Sequence, residues 1–357
     1  VYVYNIALLL KDRYDVYVIS SFSGDMRDEF LSMQGVTCIE VPALVRSIDP
    51  FNDISALFIL SALFKQHRFD LVHVNSPKAA CLGRIANVIS GTRTPLVYTV
   101  HLLEFSYPCR GILERLYCGY EKRMQGLTDM TLVNSAYERE ILVSHGFPHE
   151  KVRVILPGID TAPFAEARAR RRTQKGGARM ARVLHVTSFK KHKDPLLFFR
   201  FARALLRKHP DVVFDVLGDG PMRASIQRKI VRRKLDDRIV LHGFTPQVAP
   251  FFARADLLVI TSQRESMTYA VIESVISGVP ILSAYRGALP EAVREGSNAR
   301  FVERDPEAMA QAAMNLLPKA TRTDTIGETL PSPRSEEFWG RDRMCDEVAA
   351  VYERLIM

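Results

Sequence analysis

The chain has 357 residues, of which 47% are hydrophobic and 25% charged, and a formal net charge of +9. That length suffices for two domains with separate cores, and the composition excludes disordered and fibrous classes. The charge points to anionic partners, but no zinc-finger, RNP or helix-turn-helix pattern is present, so no nucleic acid is expected among them.

The five cysteines, Cys38, Cys81, Cys109, Cys118 and Cys345, form no Cys-x-x-Cys pair. They read as reduced thiols in a cytoplasmic protein. His145 and His149 are four apart, but Gly146 and Pro148 between them break any helix, so no metal pair is expected there. The longest apolar run, Ile54 to Phe64, falls short of a membrane span and reads as a buried helix.

In chain order, Val1 to Leu10 predicts a helix and Asp15 to Ser20 a strand. Val36 to Pro42 is a further strand, Ile54 to Gln66 a helix, and Phe69 to Asn75 the next strand. Ser76 caps a helix that Gly91 ends, and strands follow at Pro95 to His101 and Met130 to Ser135. Strands alternating with helices give a parallel sheet with crossover helices. Val152 to Asp160 closes this first domain, and the Arg-rich stretch from Ala162 to Ala181 reads as a linker. A second α/β domain begins at Arg182 with RVLHVTS and continues through DVVFDVLGDGP, RIVLHGF and DLLVITS. A last helix is expected near Glu336 to Leu355. The fold class is therefore α/β, with two Rossmann-like parallel-sheet domains. Their boundaries are 1–163, a linker at 164–182, 183–320, and a linker with the final helix at 321–357.

The stretch most charged with chemistry is Arg264 to Pro280, RESMTYAVIESVISGVP. It follows the apolar strand Asp256 to Ile260 and places Glu265 and Ser266 in a loop before a helix from about Thr268 to Ser277, which Gly278 stops. Ligands of parallel sheets bind beyond the carboxyl ends of strands, where helix N-termini offer free amides. The amides of Ser266, Met267 and Thr268 suit a phosphate, and Glu265 and Glu273 can each accept from hydroxyls. Phosphate between two polyols describes a nucleotide sugar. Upstream, HVTSFKKHKDP ends a strand in a basic loop, with Lys193 before a helix that Asp194 caps and Pro195 opens. LGDGP and LHGF end two more strands; the glycine pair in LGDGP permits a tight turn or a close backbone approach.

Glu-x7-Glu followed by a helix and SGVP resembles the signature of retaining glycosyltransferase family 4, with its GT-B fold. The resemblance implies that Glu265 contacts the donor sugar and Glu273 the ribose hydroxyls. Lys193 then grips the donor diphosphate, while Ser188 stands where the family usually has Arg. Gly243 and Phe244 fall where backbone reads the base. TVH, ending at His101, is similar to the family's Thr-x-His, whose His lies near the transferred sugar, although Leu102 replaces a frequent Gly. VHVNSPKAACLGRIA together with VYTVH resembles the polysaccharide-assembly branch, implying a glycan or polyprenyl-linked acceptor. No Asp-x-Asp pair occurs, so the diphosphate is expected to be neutralised by Lys193 and the helix N-terminus, with neither metal nor cofactor.

The expected activity is transfer from a nucleoside diphosphate sugar, UDP-sugar first and GDP-mannose second. The expected place is the cytoplasm, including the cytoplasmic face of an anionic membrane. Rivals are a GT-B nucleotide-sugar epimerase and a degenerate donor-binding subunit. Family members begin with a strand and a Gly-Gly loop, whereas VYVYNIALLLKDRYDVYVIS resembles the helix and strand that come next. The expectation is therefore that an amino-terminal strand and loop precede this sequence in the complete protein.

Overall fold

The structure, a computed structural model, describes residues 1–24, 26–45, 47–106, 109–173, 180–320 and 337–357. The chain forms two compact units: Val1–Gly158 with Arg341–Met357, and Ile159–Gly340.

In the first unit the order is α1 (Tyr2–Leu10), β1 (Val16–Ser20), α2 (Arg27–Leu31), β2 (Val36–Glu40), α3 (Pro50–His67), β3 (Val72–Asn75) and α4 (Pro77–Ser90). It continues with β4 (Leu96–Val100), α5 (Ile112–Met124), β5 (Met130–Val133), α6 (Ala136–Ser144) and β6 (Val152–Val154). Strands β3 to β6 form one parallel sheet in sequence order, and β1 pairs with β2 in a separate parallel pair. Every residue of β4 and β5 is buried, as expected of parallel strands covered on both faces. The caps of α4 follow from its sequence: Ser76 accepts from the Ala79 amide, and Gly91 takes the left-handed conformation at φ 75°.

Helix α3 departs from expectation in two ways. It starts at Pro50, four residues early, because the Asp49 side chain accepts from the Asn52 amide and caps it. It is also not a buried helix. Ala56, Leu60 and Phe64 are buried at the three-to-four spacing of one face, while Phe51, Ile54 and Phe58 are exposed.

The second unit runs α7 (Ala162–Thr173), β7 (Arg182–Val186), α8 (Pro195–Lys208), β8 (Val213–Leu217), α9 (Arg223–Arg232) and β9 (Ile239–Gly243). Then come α10 (Ala249–Arg254), β10 (Leu257–Ile260), α11 (Tyr269–Ser277), β11 (Ile281–Ser283), β12 (Ala299–Phe301) and α12 (Pro306–Ala320). The final helix, α13 (Arg341–Ile356), belongs to the first unit. The second sheet is parallel with the order β12-β11-β10-β7-β8-β9. Its core joins Phe198, Phe201 and Leu205 of α8 to Phe214 and Val216 of β8 and to Met309 and Ala313 of α12.

The expected linker at 164–182 is corrected by α7. Phe164 and Ala167 are buried, and the Phe164 ring meets the Phe252 ring edge-on at 5.7 Å. Two apolar side chains on one face were enough to dock a helix whose other faces carry arginine. The first unit ends at Gly158 rather than at 163, because the Ile159 amide donates to Trp339 O at 2.9 Å, inside the second unit. The expected linker at 321–336 lies outside the described residues. Helix α13 starts at Arg341, later than expected, and buries Met344, Val348, Ala349 and Tyr352 against Tyr2, Ile6 and Leu10 of α1 and against Val97 and Met130 of the sheet. No helix among the described residues is long and apolar enough to cross a membrane.

Candidate active site

The second sheet reverses direction beside β7. From β7 the chain adds β8 and β9 on one side, then returns to add β10 and β11 on the other. Such a switch point leaves a crevice outside the carboxyl ends of the two central strands. The loops that leave β7 and β10 there carry Lys193 and Glu265, 72 residues apart.

Lys193 Nζ donates to both carboxylate oxygens of Glu265, at 2.5 and 2.7 Å. Glu265 is only 7% exposed and also accepts from Ser262 Oγ. A buried carboxylate needs that company, since an unpaired ion in the interior is costly. The two loops are tied by their backbones as well. Thr261 Oγ1 donates to Lys193 O at 2.9 Å, and the Gln263 amide to His192 O at 2.7 Å. Arg304 completes the corner, donating to Thr261 O at 2.9 Å, to Ser262 O at 2.5 Å and to the Asp194 carboxylate at 2.6 Å. Nothing in the local sequence marks Arg304. It comes from the loop after β12 and works only through the fold.

Asp194 caps α8 by accepting from the Leu197 amide at 3.0 Å, with its own backbone left-handed at φ 46°. Helix α11 begins as its sequence suggests, with Thr268 extended at its N-cap and Gly278 left-handed at φ 66°. Thr268 makes no side-chain capping hydrogen bond, so the positive end of the helix is not closed by its own cap residue. Ser266 and Met267 are buried, and Thr268 is half-buried. Glu273 lies one turn into α11, and burial pushes its carboxyl up to about 8. A carboxyl held nearly neutral at physiological pH is the kind of perturbed group that marks functional sites.

The other residues singled out in the sequence divide clearly. Ser188 is half-buried in the loop after β7. Gly218 and Gly220 serve the packing of that loop: a Cβ on Gly218 would lie 1.7 Å from Thr187 O, and one on Gly220 2.0 Å from Ser188 O. The close approach that glycine permits here is between two protein segments. Gly243 ends β9 at φ 79°, and its carbonyl accepts from the Gly218 amide at 2.7 Å. Phe244 is 56% exposed.

His101 belongs to the first unit and lies just past β4. Its ring meets Tyr2 edge-on at 4.8 Å, and Nε2 is 3.2 Å from Asn75 Oδ1. Burial lowers its pKa to about 4, so the imidazole is neutral at physiological pH. The same unit holds a group that sequence spacing does not reveal. The ligand atoms of Cys109, Cys118 and His145 lie within 4.8 Å of one another, a set able to hold a metal ion. His145 Nε2 is also 2.9 Å from Ser106 O.

Two parallel-sheet α/β units are the architecture of the GT-B class of glycosyltransferases. Solved structures share the fold. Anabaena HepE in complex with UDP and glucose superposes with a TM-score of 0.75 at 21% identity, covering 99% of this chain and 95% of that one. Sucrose-phosphate synthase from Thermosynechococcus elongatus reaches 0.79 at 18% identity, covering 99% and 92%. The description Glycosyltransferase Family 4 matches residues 1–163, and Glycosyl transferases group 1 matches 181–319. The chain belongs to glycosyltransferase family 4. Among curated relatives, the UDP-Gal:alpha-D-GlcNAc-diphosphoundecaprenol alpha-1,3-galactosyltransferase of Escherichia coli is 27% identical over 283 residues, 77% of this chain and 72% of that protein. The D-inositol 3-phosphate glycosyltransferase of Streptomyces coelicolor is 28% identical over 265 residues, 66% of this chain and 57% of that one.

Proposed function

We propose that this chain moves a sugar, with retention of configuration, from a nucleoside diphosphate donor to a glycan or polyprenyl-linked acceptor. UDP-sugar is the first donor and GDP-mannose the second. The reading rests on one observation above all: half-buried Lys193 and buried Glu265 form an ion pair at the switch point of the second sheet, beside the start of α11. In this reading Lys193 and the amides of Ser266, Met267 and Thr268, in the loop that leads into α11, receive the diphosphate. Glu265 accepts from hydroxyls of the sugar and Glu273 from those of the ribose. Ser188 lines the same loop, and Gly243 and Phe244 flank the base.

Charge grows on the diphosphate as its bond to the sugar breaks, so Lys193 and the helix dipole stabilise the transition state more than the bound donor. This supply of positive charge is why the proposal includes neither metal ion nor cofactor. His101, neutral, is assigned hydrogen bonding to the transferred sugar. Two observations support the lipid-linked acceptor and a place at the cytoplasmic face of an anionic membrane. The Escherichia coli relative is named for a diphosphoundecaprenol acceptor, and Leu113 and Leu116 of α5 are exposed beside Arg115.

The test is a thermal-shift panel of UDP, GDP and ADP with the full chain. A nucleotide present at 100 times its dissociation constant adds about 2.7 kcal/mol to stability. UDP is expected to give the largest shift. If none of the three moves the transition, the donor site is not here.

A further inference from the structure

Helices α8 and α9 of the second unit gather five cations that the donor reading leaves unused. Arg200 and Arg203 share a face of α8 with Leu196 and Phe199, at positions i, i+3, i+4 and i+7. Lys229 and Arg232 share a face of α9, and Arg233 at its C-cap continues it. The two faces line a cavity of about 200 Å³ that these cations share with Leu196 and Phe199, with no carboxylate in the lining. None of the five has an ion pair among the described residues, although cations close by in sequence do. Arg207 and Lys208 reach Glu307, and Arg238 reaches Asp237. Among the described residues, the guanidinium of Arg203 lies 5.9 Å from the Phe199 ring centre.

Like charges held together repel, and the repulsion is removed by an anion seated among them. The cavity is smaller than the roughly 300 Å³ at the lower end for drug-sized ligands. Arginine forks match the oxygens of a phosphate, and lysine adds a point charge. We propose that the α8–α9 cavity binds a phosphoryl group, carried by an anionic lipid headgroup or by a free phosphorylated solute. The proposal is independent of the donor site, whose lysine precedes α8.

The experiment compares the full-length parent with Arg203→Gln/Lys229→Gln, with Lys193→Ala, and with Arg300→Gln as an exposed charge-loss control in the same unit. Two probes are used at constant ionic strength, with UDP saturating the donor site of every protein. One is inorganic phosphate, read by thermal shift against chloride. The other is sedimentation with phosphatidylglycerol vesicles, against phosphatidylcholine vesicles. The parent is expected to respond to at least one probe, and the double variant to bind that probe at least tenfold more weakly while keeping UDP binding. Lys193→Ala and Arg300→Gln should stay within twofold of the parent. Response to phosphate identifies a solute, and response to vesicles alone identifies a lipid headgroup. The proposal is overturned if the parent responds to neither probe, if the double variant matches the parent, or if either single variant loses as much as the double.

Discussion

At the scale of single residues, the pairing of Lys193 with Glu265 gives one change two effects. Lys193→Ala removes the charge facing the diphosphate and leaves Glu265 buried without its ion. Losing a preorganised group of this kind lowers turnover about 100-fold or more. Breaking a buried pair costs about 3 kcal/mol. Steady-state kinetics at saturating donor, together with a melting curve, should therefore show both losses. Unchanged turnover in the folded variant would return Lys193 to a purely structural role. Glu273 gives a pH signature. Its carboxyl, raised to about 8 by burial, keeps a proton that the unfolded chain releases near the ordinary value of 4.5. The folded state thus binds more protons between those values, and stability falls as pH rises through that window, levelling off above about 8. Glu273→Gln cannot ionise, so without nucleotide it should be more stable than the parent at pH 8.5 and gain nothing at pH 5. A stability difference independent of pH would mean that burial does not raise this carboxyl.

At the scale of elements, the turn after β8 is held by steric necessity. A Cβ at Gly218 would lie 1.7 Å from a backbone oxygen of the neighbouring loop, and the residue sits at φ 115°. Gly218→Ala should cost about 3 kcal/mol or more, since neither backbone can yield cheaply. Urea unfolding of the second unit checks this, and a loss under 1 kcal/mol would show that the turn relaxes. Helix starts and stops were legible because capping chemistry is local: Ser76 and Asp194 as caps, and Gly91 and Gly278 as left-handed stops, act where the sequence places them. Helix α7 was not legible, because Phe164 shows its value only against α10, whose Phe252 lies 88 positions further on. Likewise α3 reads as buried from its composition, yet only the structure tells which apolar face has a partner.

At the scale of the molecule, two parallel α/β domains were visible in the alternation of elements, and the Glu265 to Glu273 stretch stood out by its place after a buried strand. Sheet order was not visible. Only the return of the chain from β9 to β10, beside β7, brings Lys193 within 2.5 Å of Glu265 and lets Arg304 bind both loops. Those contacts depend on which strands become neighbours, and local periodicity does not encode that. The central claim is that this corner of the second unit holds a nucleoside diphosphate, with Glu273 on its ribose. Calorimetric titration of UDP into the parent and into Glu273→Ala tests it most directly. Loss of this hydrogen-bonding partner should weaken binding by about 1–3 kcal/mol, roughly 5- to 150-fold, in a variant that remains folded. Equal dissociation constants for parent and variant would contradict the assignment.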